Sequence, residues 1–491
     1  MAPPSPRDPH ESVLADATPA MRQYLDVKRQ YRDAIVFFRM GDFYEMFYED
    51  AIVAARALDL TLTSRAKDAG GAAIPMCGVP HHAVDGYLAR MVRKGFRVAI
   101  CEQVEDPRKA KGLVRREVVR VVSPGTLTDA SYLDAREPAF IVALAPVTAV
   151  TSSRGGAPPA AVDEGRPAGV TTVGAALLDL STGEFSAAEY SGADAVAALA
   201  DEVAVLRPRE LLVPEGVDLA GDLPLVAASG IPTTRVDGWT FDLQSAQATL
   251  LDQLGTTSLA GFGLEPFPAA VRAAGALVRY LRDTQKADLA HVRAVVLRQA
   301  ADALLVDAPT LGHLEVVEGA GGGRAGSLLD ELDRTVTAMG GRLLRNWLLR
   351  PLITLERIRD RLDAVEEFAF RVTDRGKARD TMKAIQDVER IVARAALGVA
   401  GPRDLVALKL SLGAVPRLRM LLEPFQAPLA ASLAGQLDDL EDLRSEVERT
   451  LVDAPPALAR EGGAIRNRVD AELDELRHVS RSGKEIIARM E

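Results

Sequence analysis

Three patterns of apolar and polar positions succeed one another along the 491 residues. In the first, short runs rich in β-branched and aromatic residues alternate with helical stripes. Met21, Tyr24, Leu25 and Tyr31 mark one helix face, and Ile35-Val36-Phe37-Phe38 reads as a buried strand. Gly41-Asp42 breaks that run. Asp42 suits a helix N-cap, and Phe43, Met46, Phe47, Ala51, Ala54, Ala55 and Leu58 recur at helical spacing, so the pattern predicts a helix from Phe43 onward. Residue statistics alone then place Phe43 in the core against Met46 and Phe47. Further along, the pattern predicts a strand at 59–63, a turn at 69–71, a helix at 84–94 and strands at 96–104 and 117–123.

The second pattern begins at Glu137-Pro138. Strands at 140–144, 173–180 and 184–190, the last two joined by Ser181-Thr182-Gly183, precede a helix at 193–206 and a strand at 210–213. A Gly/Pro-rich loop spans 154–169. In the third pattern, beyond Pro266, three-four spacing predicts helices at 269–284, 328–332, 338–349, 355–370 and 378–397. Pro351, Pro402, Pro416 and Pro424 are expected between helices or at their ends. Near-heptad spacing of Ile465, Val469, Leu473, Leu476 and Val479 predicts a long exposed helix from Ile465 to the last residue.

The length requires several hydrophobic cores, and the 48% of hydrophobic residues is enough to fill them. The expected organisation is a disordered tail (1–19), a mixed α/β domain (20–137), a second α/β domain (138–274), a helical domain (275–460) and the start of a further helical domain (461–491). Cys77 and Cys101 have no C-x-x-C or Cys/His company and read as buried thiols. His81 and His82 lack a ligand cluster in sequence and read as helix-start or core histidines. The first residues do not form a secretory signal, and no apolar run is long enough to span a membrane, so the expected location is cytoplasmic.

A net charge of −10 argues against a nucleic-acid binder until it is divided along the chain. Residues 20–137 hold 19 Lys+Arg against 16 Asp+Glu, whereas 138–274 hold 6 against 16. Basic character is therefore concentrated in the first domain. There Arg108, Lys109, Lys111, Arg115, Arg116 and Arg120 oppose only Glu117 over 108–120, a plausible track for phosphates.

The segment Phe38-Arg39-Met40-Gly41-Asp42-Phe43-Tyr44-Glu45 closely resembles the N-terminal Phe-x-Glu motif of the MutS family of DNA mismatch-recognition proteins. Three further blocks resemble the family in order and at similar spacing: Ile74 to Ala83, Val98 to Gln103 and Val118 to Thr126. Ser327 to Asp330 and Asp333 to Leu348 resemble its core, or lever, domain, whereas Arg466 to Asp470 departs from the family text. The resemblance implies a mismatch-binding domain, a ribonuclease-H-like connector, a helical lever and the first helix of a clamp. Phe43 and Glu45 are implied as mismatch-binding residues, with Arg65, Lys67, Arg115, Arg116 and Arg120 as candidates for holding the DNA backbone.

The implied function is recognition of mismatched or unpaired bases in double-stranded DNA. Implied partners are DNA with mismatches or small loops, a MutL-like repair protein and, for full-length members, a second copy of the chain. Nucleoid association follows from DNA as the partner. ATP and magnesium are implied for full-length members, but no G-x-x-x-x-G-K-[ST] occurs in these 491 residues. No catalytic residue, metal ligand or cofactor is therefore assigned, and the family's ATPase half is expected to be absent. Two rival readings differ in class. One is a metal-dependent nuclease using Asp179, Glu184, Asp201 and Glu202; the other is a helical scaffold that does not bind DNA.

Overall fold

The computed structural model describes residues 18–64, 73–105, 114–129, 132–148, 170–299, 303–457 and 459–490. Most of the expected tail, the turn at 69–71 and the loop at 154–169 lie outside these residues. The chain forms two compact units, one of 1–134 with 138–299, the other of 135–137 with 300–491.

The first unit opens with helix α1 (Pro19–Gln30), strands β1 (Ala34–Met40) and β2 (Phe43–Phe47), and helix α2 (Tyr48–Leu58). Then follow β3 (Met76–Pro80), α3 (Val84–Arg93), β4 (Arg97–Gln103) and β5 (Arg116–Val122). The five strands form one sheet in the order β3-β2-β1-β4-β5, with only β1 and β4 parallel. Alternation along the strands supplies two apolar faces. Ile35, Phe37, Tyr44, Met46, Val79, Val98 and Ile100 pack on the side of α2 and α3. Val36, Phe38, Phe47, Met76, Ala99 and Cys101 pack on the side of α1.

Two expectations change here. The helix predicted from Phe43 begins only at Tyr48, because Phe43 to Phe47 pair with both β1 and β3. The strand predicted at 59–63 reduces to a single bridge between Thr63 and Met76, after Asp59 ends α2 in a left-handed conformation.

Cys77 and Cys101 belong to clusters on opposite faces of the sheet, which separates the two thiols. Burial pushes them up to about 11 and about 12, respectively.

A buried carboxylate ties the first elements together. Asp50, in the first turn of α2 and 2% exposed, accepts the Tyr24 hydroxyl at 2.9 Å, Lys28 Nζ at 2.7 Å and the Val36 N–H at 2.9 Å.

The same unit contains β6 (Phe140–Thr148), β7 (Val170–Asp179), β8 (Glu184–Ser191), α4 (Ala195–Leu206), β9 (Glu210–Pro214), β10 (Thr233–Val236), α5 (Leu243–Leu254), α6 (Pro268–Gln285) and β11 (Val296–Leu297). The sheet order is β10-β9-β6-β7-β8-β11: three antiparallel strands, β6 to β8, with β9 and β10 parallel to β6. That is the ribonuclease-H-like arrangement. Helix α6 crosses β7 so closely that a Cβ on Gly174 would lie 1.8 Å from the Ala269 carbonyl oxygen, a contact that only glycine permits. Glu189 accepts the N–H groups of Ala269 and Ala270 at the start of that helix. The domain limit expected at 274 therefore falls inside a helix that continues to Gln285.

The second unit is helical: α7 (Ala338–Leu349), α8 (Leu355–Phe370), α9 (Val372–Met382), α10 (Val388–Ala396), α11 (Pro402–Leu422), α12 (Pro428–Gln436), α13 (Glu441–Thr450) and α14 (Ala471–Met490), after shorter turns. The single helix expected over 378–397 is two, because Asp387 leaves the helix to cap α10 and to bind Arg342. Pro416 lies inside α11, on its exposed side, while Leu412 and Leu418 bury either half of the helix. The last helix starts at Ala471, since Ile465 forms a bridge with Leu451.

Residues 135–137 are held here by polar bonds. Arg342 donates to the Ala135 carbonyl, Asp387 and Glu389, all at 2.7 Å. Arg390 donates to the Glu137 carbonyl at 2.9 Å. Arg136 reaches Asp333 and Thr335. Burial alone would raise the Asp333 carboxyl, but hydrogen bonds from Thr335, Arg324 and Arg136 hold it well below the usual carboxylate range.

Two stability changes are expected. Asp50→Ala removes the shared acceptor of Lys28, the Tyr24 hydroxyl and the Val36 N–H, leaving Lys28 only the Ala34 carbonyl and Tyr24 only the Phe47 carbonyl, and should cost about 3 kcal/mol, read as a lower urea midpoint; an unchanged midpoint would show that the network is dispensable. For Asp333, whose folded-state pKa is depressed, the stabilisation is complete above about pH 4 and is lost as the pH falls below it. The stability gap between the parent and Asp333→Asn should accordingly narrow on acidification, and a gap independent of pH would refute this.

Candidate nucleic-acid interface

The most exposed part of the first sheet's apolar pattern is the hairpin joining β1 to β2. Met40 pairs with Phe43, leaving a two-residue turn of Gly41 and Asp42. Gly41 has φ +60° and Asp42 does not share a positive φ, the combination of a II′ turn with glycine first. The His81 N–H donates to the Asp42 carbonyl at 2.8 Å and fixes the tip against the end of β3.

Strand alternation then decides what β2 presents. Tyr44 and Met46 point into the core shared with α2 and α3, so Phe43 and Glu45 share the opposite face. Phe43 lies between Met40 and Pro80 in register and is 47% exposed. This removes the expectation that it packs on Met46 one helical turn along. Glu45 is half-buried, opposite Phe38 on one side and Gly78 on the other. An exposed aromatic ring and a carboxylate two residues apart thus stand at one corner of the sheet.

The cationic residues expected beside them have different fates. Arg65 and Lys67 lie outside the described residues, as do Arg108, Lys109 and Lys111. Arg115 is exposed just before β5 and forms an ion pair with Glu117. Arg116 faces inward: its guanidinium sits 5.2 Å from the centre of the Phe38 ring and donates to the carbonyls of Arg39 at 2.7 Å and Val114 at 2.9 Å. Desolvation lowers its pKa. Arg116 thus supports the domain's packing while remaining only partly buried. Arg120 is half-buried and its pKa is likewise lowered by desolvation, against which the nearby ionisable groups of Asp85, Tyr44 and Asp129 act.

The sequence pattern missed the hairpin itself. Its signal was present, a Gly-Asp pair between two aromatic-rich runs short enough to alternate. It also missed Arg39, whose Nε donates to the Gly41 carbonyl inside the turn.

The carboxylates considered for a nuclease do not converge. Asp179 is consumed by the Ala139 N–H and by the Ser181 N–H and hydroxyl. Glu202 accepts from the Tyr190 hydroxyl and the Arg298 guanidinium. Among the described residues no group of three or more His, Cys, Asp or Glu is placed to hold a metal ion. None of their helices is long and apolar enough to cross a membrane.

Residues 18–131 match the family description MutS domain I, 160–293 match MutS domain II and 309–489 match MutS domain III. The DNA mismatch repair protein MutS of Symbiobacterium thermophilum is 43% identical over 484 residues, covering 97% of this chain and 52% of that protein. The proteins of the same name from Solibacter usitatus and Myxococcus xanthus are 42% and 41% identical, each over 97% of this chain. The chain spans about half the length of these relatives.

The two neighbouring arginines should separate by stability. Arg116→Ala should lower the thermal midpoint of the first unit, because it uncovers Phe38 and leaves the carbonyls of Arg39 and Val114 without their donor, while Arg115→Ala should leave the midpoint unchanged. Equal effects in calorimetry would contradict the inward placement of Arg116.

Proposed function

Because the chain belongs to the MutS family and matches its domains I to III, we propose that its first domain recognises mismatched or unpaired bases in double-stranded DNA by inserting Phe43 into the base stack. The observation that carries this reading is the half-exposed Phe43 ring at the tip of a two-residue hairpin, with Glu45 on the same strand face.

The mechanism rests on duplex mechanics. An apolar wedge entering a base step from the minor groove unstacks it at a cost of a few kcal/mol and kinks the duplex by roughly 20–90°. A mismatched base has already lost pairing energy and is cheaper to displace, so discrimination arises from deformability more than from base reading. Phe43 stacks on the displaced base and the Glu45 carboxyl hydrogen-bonds to it. Nearby phosphates favour the protonated carboxyl, which can then donate. Arg115, together with Arg65 and Lys67, supplies sequence-independent attraction to the backbone.

For the whole protein, membership of the family further supports a homodimer, a MutL-like partner and coupling to ATP and magnesium. The 491 residues contain no phosphate loop of the Gly-Lys-Ser/Thr type, so this chain is proposed to test DNA without turning over nucleotide. The nuclease and scaffold readings gain no support from the carboxylate geometry or from the relatives.

Phe43→Ala should abolish the preference for a mismatched over a matched duplex while leaving the circular dichroism spectrum intact. A retained preference, measured by competition binding, would sink the wedge. Arg115→Ala should weaken both duplexes alike and reduce the slope of log K against log salt by about 1. An unaltered slope would remove Arg115 from the interface.

A further inference from the structure

The wedge strand has a second face, and that face is built differently from the rest of the core. Tyr44, between Phe43 and Glu45, is 3% exposed and packs against Phe37 at 6.3 Å between ring centres. It also carries polar company. Its ring stacks on His81 at 5.6 Å with an interplanar angle of 27°, and the Arg39 guanidinium lies 5.5 Å from its centre. Its hydroxyl donates to Glu102. Glu102 in turn lies 4.0 Å from Arg39 Nη1 and 3.9 Å from His81 Nε2.

These four residues come from four neighbouring places in the sheet: Glu102 on β4, Arg39 on β1, Tyr44 on β2 and His81 just after β3. They form a band across the hairpin end of the sheet, beneath the strand that presents Phe43. Two members also hold the turn, since the Arg39 Nε donates to Gly41 and the His81 N–H to Asp42.

We propose that this band, with Tyr44 at its centre, is the positioning device that holds the hairpin rigid while Phe43 is pressed into the duplex. The proposal rests on the wedge reading above. A ring pushed into a base stack receives an equal push back, which a two-residue hairpin near the edge of a sheet would absorb by twisting. The Tyr44 hydroxyl crosses over β1 to reach β4, a strand parallel to β1 in the middle of the sheet, and resists that twist. Burial, and next the bond to Glu102, push the phenol above its ordinary range, so it remains a donor. Rigid support should cost nothing on a matched duplex, where the wedge is not engaged. It should matter where the wedge must deform DNA.

The test uses the full 491-residue chain and measures the ratio of affinities for mismatched and matched duplexes, alongside thermal stability. Tyr44→Phe keeps the ring and its stack on His81 but loses the hydroxyl. The ratio should fall about 5-fold with matched-duplex affinity unchanged. Glu102→Gln, which still offers the phenol an acceptor, should retain more of the ratio than Glu102→Ala. Should Tyr44→Phe lose stability, the Glu102 pair provides the same comparison at the other end of the bond. An unchanged ratio in Tyr44→Phe, or equal losses in the two Glu102 variants, overturns the band while leaving the wedge standing if Phe43→Ala abolishes the ratio in the same assay. If Phe43→Ala also leaves the ratio unchanged, the wedge reading falls and the positioning role falls with it.

Discussion

The Asp50 carboxylate is the constraint on which the first domain depends, because it joins three elements that sequence order alone does not bring together. It takes the Val36 N–H of β1, the Tyr24 hydroxyl and Lys28 of α1, while standing in the first turn of α2. The Tyr24 hydroxyl also receives the Phe47 N–H at 3.4 Å, where β2 ends, and its ring packs edge-on against Phe38 and Phe47. Both strands of the hairpin are thereby fixed at the base while the tip stays exposed. A buried carboxylate with three donors is tolerable, whereas one stripped of them would oppose folding. The exposed Phe43 is possible because the rest of the strand has no freedom left.

A second carboxylate does similar work between the first and second sheets of the same unit. Glu210, at the start of β9 and fully buried, accepts from the Ser123 hydroxyl and the Gly125 N–H at the end of the first domain. It also accepts from Thr234 at 2.6 Å and Tyr280 at 3.0 Å in the second. A Cβ at Gly125 would come within 3.0 Å of Glu210, so the loop can approach this closely only without a side chain. Gln285, at the end of α6, adds a bond to the Val121 carbonyl at 3.2 Å. The two α/β layers therefore share a saturated polar seam. Displacement of one against the other would strand buried polar groups.

The helical unit uses the same economy with the signs reversed. Arg342 and Arg390 are buried cations, and each is oriented by Asp387 and by a backbone carbonyl of residues 135–137. The bidentate Arg342–Asp387 pair at 2.7 and 2.8 Å breaks what would otherwise be one long helix into α9 and α10. A charged pair here sets the path of the chain, which apolar spacing could not have specified.

The sequence by itself determined a good deal of this protein. Alternating and three-four patterns placed β6 to β9 of the second sheet and the helices α7 and α8, because those segments have one period and no competitor, whereas the short edge strands β10 and β11 escaped them. The split between a basic first domain and an acidic second followed from composition. Ordered blocks around Phe43, Cys77, Cys101 and Ser123 carried the family. Tertiary structure decided what local spacing left degenerate. Phe43 to Phe47 fits a helix as well as a strand, since apolar residues on both faces satisfy either period, and only pairing with β1 and β3 makes it a strand and turns Phe43 outward. Arg115 and Arg116 are equivalent in charge and adjacent in sequence, yet Arg115, just before β5, ends in solvent, whereas Arg116, the first residue of the strand, lies over the Phe38 ring. Asp50, Glu102 and Glu210 look like surface carboxylates in the sequence. Their partners lie 14 to 87 residues away, a separation that no local window spans.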